Sequence, residues 1–365
     1  MKRKDQIVAH IDLDYFFAQI EELQNPGIAD KPVVVCVYSG RTEESGVVSS
    51  ANYIARRYGV KAGIPIVRAK ALLKGTDAVF LPMRREEYAQ ISEQVMEILR
   101  EFADVVEVES IDEASLDISS RVGYDYSRAM ELGSEIKRRI RELLGLKCTV
   151  GIACNKVVAK IAADVAKPDG LRVVKPEETA SFLAELPVEK LPGVGEKLRT
   201  KLEELGVKTI GDLAQLSVDK LRQLVGEKTA TYLKLAARGE YYEPVAERRE
   251  RKQISRIITL KQNTRDVEEI MRQLSNPIND ILNKAESMGV SFSGVGIIAI
   301  STTLRMITRS KTINEPVDRR LLIDTVRHLF NALLNEQPSL MLRRAGVRLF
   351  DLKPASKQTS LTFFQ

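Results

Sequence analysis

Short runs of β-branched and aliphatic residues recur through the first half of the chain, at 7 to 12, 32 to 37, 78 to 82, 105 to 109, 114 to 118 and 147 to 152. Runs of that length and composition predict buried strands. Between them, apolar residues at helical intervals over 84 to 101 and 126 to 144 predict amphipathic helices, so this part reads as an α/β or α+β body. Near Leu171 the strands stop. From Glu177 to Arg238 the apolar period is broken at Pro187, Pro192, Gly206, Gly211 and Gly226, which predicts a small domain of short helices. The stretch Tyr241 to Arg256, with Pro244 and the run Glu247-Arg248-Arg249-Glu250-Arg251-Lys252, has no clear apolar period and reads as an exposed linker. Beyond it, a strand at 254 to 262, a helix at 266 to 288, strands at 293 to 303 and 307 to 313, a helix at 318 to 335 and a strand at 344 to 352 predict a β-α-β-β-α-β sheet with helices on one face. Pro354 to Gln365 carries too little apolar surface to form a unit and reads as a tail.

Composition fits a folded chain of two to four domains, since 365 residues exceed one ordinary core and 44% are hydrophobic. No apolar run approaches the ~20 residues of a membrane span. Met1-Lys2-Arg3-Lys4-Asp5 leads straight into a strand rather than an apolar leader, so a cytoplasmic location with no membrane partner is expected. Cys36, Cys148 and Cys154 stand at no metal spacing, and with only His10 and His328 as imidazoles the cysteines read as reduced core residues rather than zinc ligands. Charge changes the picture more. Residues 241 to 365 hold 20 Lys and Arg against 13 Asp and Glu, whereas the rest of the chain is close to neutral. A basic last third is either a solvated face or a grip on a polyanion.

Two acidic clusters carry the candidate chemistry: Ile11-Asp12-Leu13-Asp14-Tyr15-Phe16-Phe17 and Ser110-Ile111-Asp112-Glu113. Each follows a predicted strand, so carboxylates from two strand ends can meet, and oxygen ligands without His or Cys suit a hard ion such as Mg²⁺. Exposed acidic pairs at turns are also common without any metal. Between the clusters, Ser50, Tyr53 and Arg56 fall at i, i+3 and i+6, which on a helix puts a hydroxyl, a phenol and a guanidinium on one side, suited to phosphate oxygens. A capped amphipathic helix is the plainer reading. Lys167 precedes the turn Pro168-Asp169-Gly170. Leu191-Pro192-Gly193-Val194-Gly195-Glu196-Lys197 reads as a helix, a Gly-x-Gly hairpin and a second helix, in which Gly193 and Gly195 let amides approach a nucleic-acid backbone without reading sequence.

Taken in order, Asp12-Leu13-Asp14-Tyr15-Phe16-Phe17-Ala18, Gly40 to Pro65 with Ala51-Asn52-Tyr53 and Lys61-Ala62-Gly63, Ser110-Ile111-Asp112-Glu113-Ala114, Asn155-Lys156 to Gly170, and Pro192-Gly193-Val194-Gly195 resemble the Y-family of translesion DNA polymerases, in its archaeal DinB-like branch. The resemblance spans essentially the whole chain. It implies an α+β multidomain, right-hand polymerase: palm at 1 to 23 and 80 to 170, fingers at 24 to 79, a helical thumb with helix-hairpin-helix at 171 to 240, a linker at 241 to 253, a βαββαβ little finger at 254 to 352, and a flexible clamp-binding tail at 353 to 365. By motif, Asp12, Asp112 and Glu113 would hold two Mg²⁺ ions, with the Leu13 carbonyl completing one and Mn²⁺ able to substitute. Asp14 has no ligand role in that resemblance. Tyr15, Phe16, Phe17, Ser50, Tyr53, Arg56 and Lys167 would bind the incoming dNTP, with Phe17 as the steric gate against a ribose 2′-hydroxyl.

Arg343, Arg344 and Arg348 match the family's basic little-finger strand. Arg305, Arg309 and Lys311 are expected to add to it, and Gly193, Gly195 and Lys197 to grip primer-template DNA from the thumb. Gln358 and Leu361 with Phe363 or Phe364 resemble a sliding-clamp peptide, of archaeal or bacterial spacing; two stray aromatics on a loose end is the plainer reading. One departure is Ser115, where the family commonly has an aromatic residue. The expected activity is low-fidelity, template-directed translesion synthesis by a monomer without proofreading. Nucleotide cyclases also join an acidic pair and two metals on a palm-like sheet but have no reason to carry the hairpin or the basic C-terminal domain. A DNA-binding scaffold without catalysis has no reason to keep Asp12, Asp112 and Glu113 together.

Overall fold

The computed structural model describes residues 6–247, 252–313 and 317–355. The chain forms two compact units: the described residues of Met1–Cys36, Val48–Ala62 and Leu72–Arg249, and those of Val37–Val47, Gly63–Ala71 and Glu250–Gln365.

The chain begins with β1 (Val8–Leu13) and α1 (Phe16–Gln24), then β2 (Val33–Tyr38), β3 (Gly46–Ala51), α2 (Tyr53–Arg57), α3 (Ile66–Leu72) and β4 (Val79–Pro82). There follow α4 (Arg85–Phe102), β5 (Val105–Val108), β6 (Glu113–Asp117), α5 (Tyr126–Leu144), β7 (Cys148–Ala153), α6 (Lys156–Ala166) and β8 (Leu171–Val173). β2, β3 and β4 make a three-stranded sheet, and the five-stranded sheet runs β5-β6-β1-β7-β8 with β1 central and antiparallel to both neighbours. Alternation along β1 divides the interior. Ala9, Ile11 and Leu13 join the core under α4 and α5, while Val8 faces the opposite core with residues of α6.

Local chemistry sets the helix ends that matter. Asp125 caps α5 by accepting from the Ser127 amide at 2.7 Å, and Gly145 closes it in a left-handed conformation (φ 70°). The Asn155 side chain caps α6 through the Val158 amide at 3.0 Å. Gly151 of β7 lets α6 approach closely, since a Cβ there would stand 2.0 Å from the Ala159 carbonyl oxygen. That approach brings Lys156 and Lys160, four residues apart on one helix face, over the sheet.

The helical region holds α7 (Thr179–Ala184), α8 (Glu196–Glu204), α9 (Ile210–Gln215), α10 (Val218–Val225) and α11 (Glu227–Ala237), whose apolar faces share one core with α6. The predicted helix before the hairpin is a single 3₁₀ turn, Val188–Lys190, because Pro187 and Pro192 leave it no room to extend.

The second unit contains β9 (Gln253–Thr264), α12 (Val267–Ser287), β10 (Val290–Ser301), β11 (Met306–Thr312), α13 (Arg319–Glu336) and β12 (Leu342–Pro354), in sheet order β11-β10-β12-β9, all antiparallel. This is the expected βαββαβ order. β12 runs to Pro354, two residues past the expected end, and Arg248 to Arg251 of the linker and the tail positions Gln358, Leu361, Phe363 and Phe364 lie outside the described residues. No helix among the described residues is long and apolar enough to cross a membrane.

Candidate active site

The register between β1 and β6 sets Asp12 directly opposite Glu113, and Asp112 ends the hairpin just before it, its carbonyl accepting from the Leu13 amide at 2.9 Å. Both predicted strand ends therefore meet at one edge of the palm sheet. Asp12, Leu13, Tyr15, Phe16, Phe17, Ser50, Tyr53, Arg56, Asp112, Glu113 and Lys167 all line one cleft of about 210 Å³.

The tightest group of metal-ligating atoms is narrower than expected. Asp12 and Glu113 offer oxygens within 4.8 Å of a nitrogen of His10, whereas Asp112 is outside that group and accepts from the Ser110 hydroxyl at 2.5 Å. From sequence His10 counts only as one of two imidazoles and has no place in the site, although alternation along β1 puts it on the same face as Asp12. Its partner in the register is Ser115. The Ser115 hydroxyl donates to Glu109 at 2.6 Å, so at 3.2 Å its oxygen is left to accept from His10 Nδ1–H, which makes Nε2 the bare nitrogen. That Nε2 is buried without a partner among the described residues. Burial, aided by Lys160, pushes the His10 imidazole down to about 3, so it is neutral. Ser115, small and polar where the family commonly has an aromatic, is thus explained by its two bonds to His10 and Glu109.

Three lysines answer the acids. Lys156 Nζ donates to Glu107 at 2.9 Å, Lys160 Nζ to Glu113 at 2.5 Å and Lys167 Nζ to Asp12 at 2.5 Å. Burial pushes the Asp12 carboxyl up to about 7, against the opposing pull of Lys167. Glu113 sits below the usual range: burial raises it, and Lys160 more than offsets that. The carboxylate oxygens that draw these ammonium groups so closely fit a hard divalent cation, with a nitrogen of His10 beside them.

The other cleft residues come from three elements. Ser50 ends β3 instead of sitting on a helix with Tyr53 and Arg56, because the Asn52 cap starts α2 only at Tyr53. Its hydroxyl donates to the Tyr15 carbonyl at 3.3 Å. Tyr15 is held left-handed (φ 38°), a conformation that strains a residue with a Cβ, and its ring meets Tyr53 edge-on at 5.2 Å. Burial raises both phenols, Tyr53 to about 12. The Arg56 guanidinium stands 4.9 Å over the Tyr53 ring. Phe17 stacks on Tyr88 at 4.7 Å, an arrangement that fixes its ring.

Away from the cleft, Gly193 takes φ 96° beneath the Tyr232 ring, whose hydroxyl donates to the Pro192 carbonyl at 2.9 Å. Gly195 caps α8 in open space, and Lys197 is exposed. In the C-terminal sheet, Arg344 and Arg348 pair with Ile300 and Gly296 on the face away from the helices. Arg343 does not alternate with them, because it falls at a register shift between β12 and β9. The expectation that Arg309 and Lys311 extend the same surface is corrected. Residues 309 and 311 alternate with the buried side of β11 marked by Ile307, and Arg309 pairs with Glu336 of α13 at 2.7 Å. Arg305 precedes the strand.

A mainly antiparallel sheet with acids gathered at its strand ends, Tyr53 and Arg56 of α2 lining the same cleft, and a second sheet carrying arginines is the arrangement expected of a nucleotidyl-transferring polymerase. Comparison with known proteins is specific about which. Residues 11–164 match the family profile described as the impB/mucB/samB family, residues 189–240 the DNA polymerase-iota thumb domain, and residues 251–361 the impB/mucB/samB C-terminal domain. DNA polymerase IV of Methanosarcina acetivorans is 42% identical over 98% of both chains, and that of Saccharolobus solfataricus 44% identical over 94% of this chain and 95% of its own. A solved Y-family DNA polymerase chimera superposes with a TM-score of 0.89 at 40% identity, covering 95% of this chain and 99% of its own. The chain belongs to the Y-family of DNA polymerases, in the DinB-like branch of DNA polymerase IV type, and is a DNA-directed DNA polymerase acting in translesion synthesis.

Proposed function

We propose that this chain extends a primer by transferring a nucleotidyl group from a dNTP to the primer 3′-hydroxyl, with low fidelity and no proofreading, in the cleft where Asp12, Asp112 and Glu113 meet. The observation that carries the proposal is the shared lining: acids, phenol, guanidinium, ammonium and the stacked Phe17 ring face one volume. In the reaction the primer 3′-oxygen forms a bond to the α-phosphorus, the bond to the β-phosphate oxygen breaks, and pyrophosphate leaves. Two Mg²⁺ ions bound by Asp12, Asp112, Glu113 and the Leu13 carbonyl would supply activation of the 3′-oxygen and charge neutralisation of the triphosphate.

The protein's own groups do the rest. Lys167, now on Asp12, is placed to exchange that carboxylate for a phosphate oxygen, and Ser50, Tyr53 and Arg56 complete the triphosphate cradle with Tyr15 and Phe16 behind it. Phe17, held by Tyr88, would exclude a ribose 2′-hydroxyl. Gly193, Gly195 and Lys197 would hold the DNA backbone without reading sequence, as would Arg344 and Arg348. The enzyme is read as a cytoplasmic monomer recruited to a sliding clamp through Gln358, Leu361, Phe363 and Phe364.

Primer extension with Mg²⁺ tests the central claim on undamaged and abasic templates. The parent chain should extend both, and a chain lacking 356–365 should lose stimulation by a clamp while keeping basal extension. DNA binding without incorporation at any Mg²⁺ or Mn²⁺ concentration would overturn the proposal.

A further inference from the structure

Asp14 is the acid of the opening motif that the metal site does not use, and its surroundings give it another task. β1 ends at Leu13, so Asp14 lies beyond the strand, yet it is only 1% exposed. Its backbone is fixed at both ends: the amide donates to the Lys147 carbonyl at 3.2 Å, and the carbonyl accepts from Gln19 Nε2 at 2.7 Å. The carboxylate then collects three neutral donors. Oδ1 accepts from the Tyr53 hydroxyl at 3.3 Å and the Thr149 hydroxyl at 3.0 Å, and Oδ2 accepts from the Asp169 amide at 2.6 Å. A buried carboxylate without good donors is costly, so Asp14 holds these three groups as firmly as they hold it.

One of those donors, Tyr53, belongs to the proposed nucleotide cradle and opens α2; another, the Asp169 amide, lies in the turn that follows the cradle residue Lys167. The same turn is gripped from its other side, because Lys137 donates to the Asp169 carboxylate at 2.7 Å and to its carbonyl at 2.8 Å, and Arg141 also pairs with that carboxylate. The turn is therefore fixed between α5 and Asp14.

We propose that Asp14 is a positioning residue that sets Tyr53 and Lys167, carried by different elements, at the spacing a nucleoside triphosphate requires. This rests on the reading of the cleft as the dNTP site. Asp14 touches no substrate: it works through the phenol it orients and the turn it anchors. Asparagine at this position keeps the shape but removes the negative charge, and it keeps all three contacts only if the Tyr53 and Thr149 hydroxyls turn from donating to accepting, so the charge-assisted bonds weaken and the spacing relaxes.

Single-turnover insertion on the full chain with primer-template DNA separates dNTP affinity from the insertion rate. Asp14→Asn is expected to raise the dNTP Kd about tenfold, as loss of a hydrogen bond to a charged group does, while the maximal rate changes by less than about threefold. DNA affinity should be unchanged. Tyr53→Phe should weaken dNTP binding in the parent but add less than about twofold in the Asp14→Asn background, because both changes disturb the bond that orients the phenol. Full additivity, or an Asp14→Asn Kd within about twofold of the parent, would overturn the inference. If Asp14→Asn does not fold, Thr149→Val removes one donor without touching the cradle and should raise the dNTP Kd a few-fold; an unchanged Kd overturns it equally. Lys167→Ala is the control for the underlying site. If Lys167→Ala weakens dNTP binding and Asp14→Asn does not, the Asp14 inference alone fails. If neither Lys167→Ala nor Tyr53→Phe has an effect, the dNTP site itself is misread and the inference falls with it.

Discussion

The palm sheet and the C-terminal sheet hold their cations in opposite states. On the palm, Lys156, Lys160 and Lys167 each meet a carboxylate at 2.9 Å or less. On the C-terminal sheet, Arg344 and Arg348 keep buried Nε atoms that no group among the described residues satisfies, and Arg348 lies 5.1 Å from the Phe350 ring. A lysine is a compact point charge that can trade one anion for another, so a paired palm allows exchange of a carboxylate for metal or phosphate without stranding a charge. A guanidinium fork with a bond unmade gains energy only when an external acceptor arrives. The palm's cations are thus balanced in advance, and the guanidinium groups of the C-terminal sheet are left open.

The comparison is broken most sharply at Asp112. Among the described residues its carboxylate accepts from the Ser110 hydroxyl and pairs with no lysine. Asp112→Ala should slow primer extension by about a thousandfold or more while DNA affinity stays within about twofold, as measured by extension and by binding titration. Full activity in that variant would sink the metal assignment. Phe17→Ala acts in the same cleft but on selection. Removing the stacked ring should raise ribonucleotide insertion relative to deoxynucleotide insertion on the order of a hundredfold, and an unchanged ratio would remove the gate from Phe17.

The open end gives a smaller effect with a clear control. Arg348→Ala should weaken primer-template binding about tenfold and reduce the slope of log affinity against log salt by about one, since one phosphate contact is lost. Arg309→Ala should change neither appreciably, because that side chain faces α13 and already has Glu336. Equal losses from the two would show that the face assignment within the sheet is wrong.

The paired ends were unequally legible. The strands ending at Asp12 and the βαββαβ order follow from periodicity alone, because a one-residue slip would expose a whole apolar face. The convergence of Asp12 with Glu113 is a matter of register, which one sequence does not fix; family motifs supplied it. β3 was missed because Gly46-Val47-Val48-Ser49-Ser50-Ala51 is weakly apolar, and with it Ser50 was placed on the wrong element. The helix α6 went unpredicted, so the lysine ladder that balances the palm did too, although Lys156 and Lys160 stand four apart in the sequence. Arg309 could have been read correctly, since alternation with Ile307 and Ile313 marks it as helix-facing.

The smallest effect concerns the balance itself, through His10. In the folded chain its imidazole titrates near 3, whereas its usual value is 6.5, because burial and Lys160 disfavour the charged form. Below pH 6.5 the unfolded chain takes up a proton that the folded chain refuses. The neutral His10 therefore contributes stability that is present above that pH and is lost as pH falls toward 3, by about 1 kcal/mol per unit. Asp12 runs the other way: its raised value lets the folded chain hold a proton more readily between about 4 and 7, so its share of stability grows on acidification. Asp12 is shifted by burial, Lys167 and Glu113, so comparison of the parent with His10→Asn largely cancels its contribution. Denaturant unfolding at several pH values should show His10→Asn destabilised at pH 7, with the gap narrowing by about 1 kcal/mol for each unit below 6.5. A gap independent of pH would mean that His10 is not held neutral by its place between Ser115 and the lysines, and that the palm is balanced by its three lysine pairs alone.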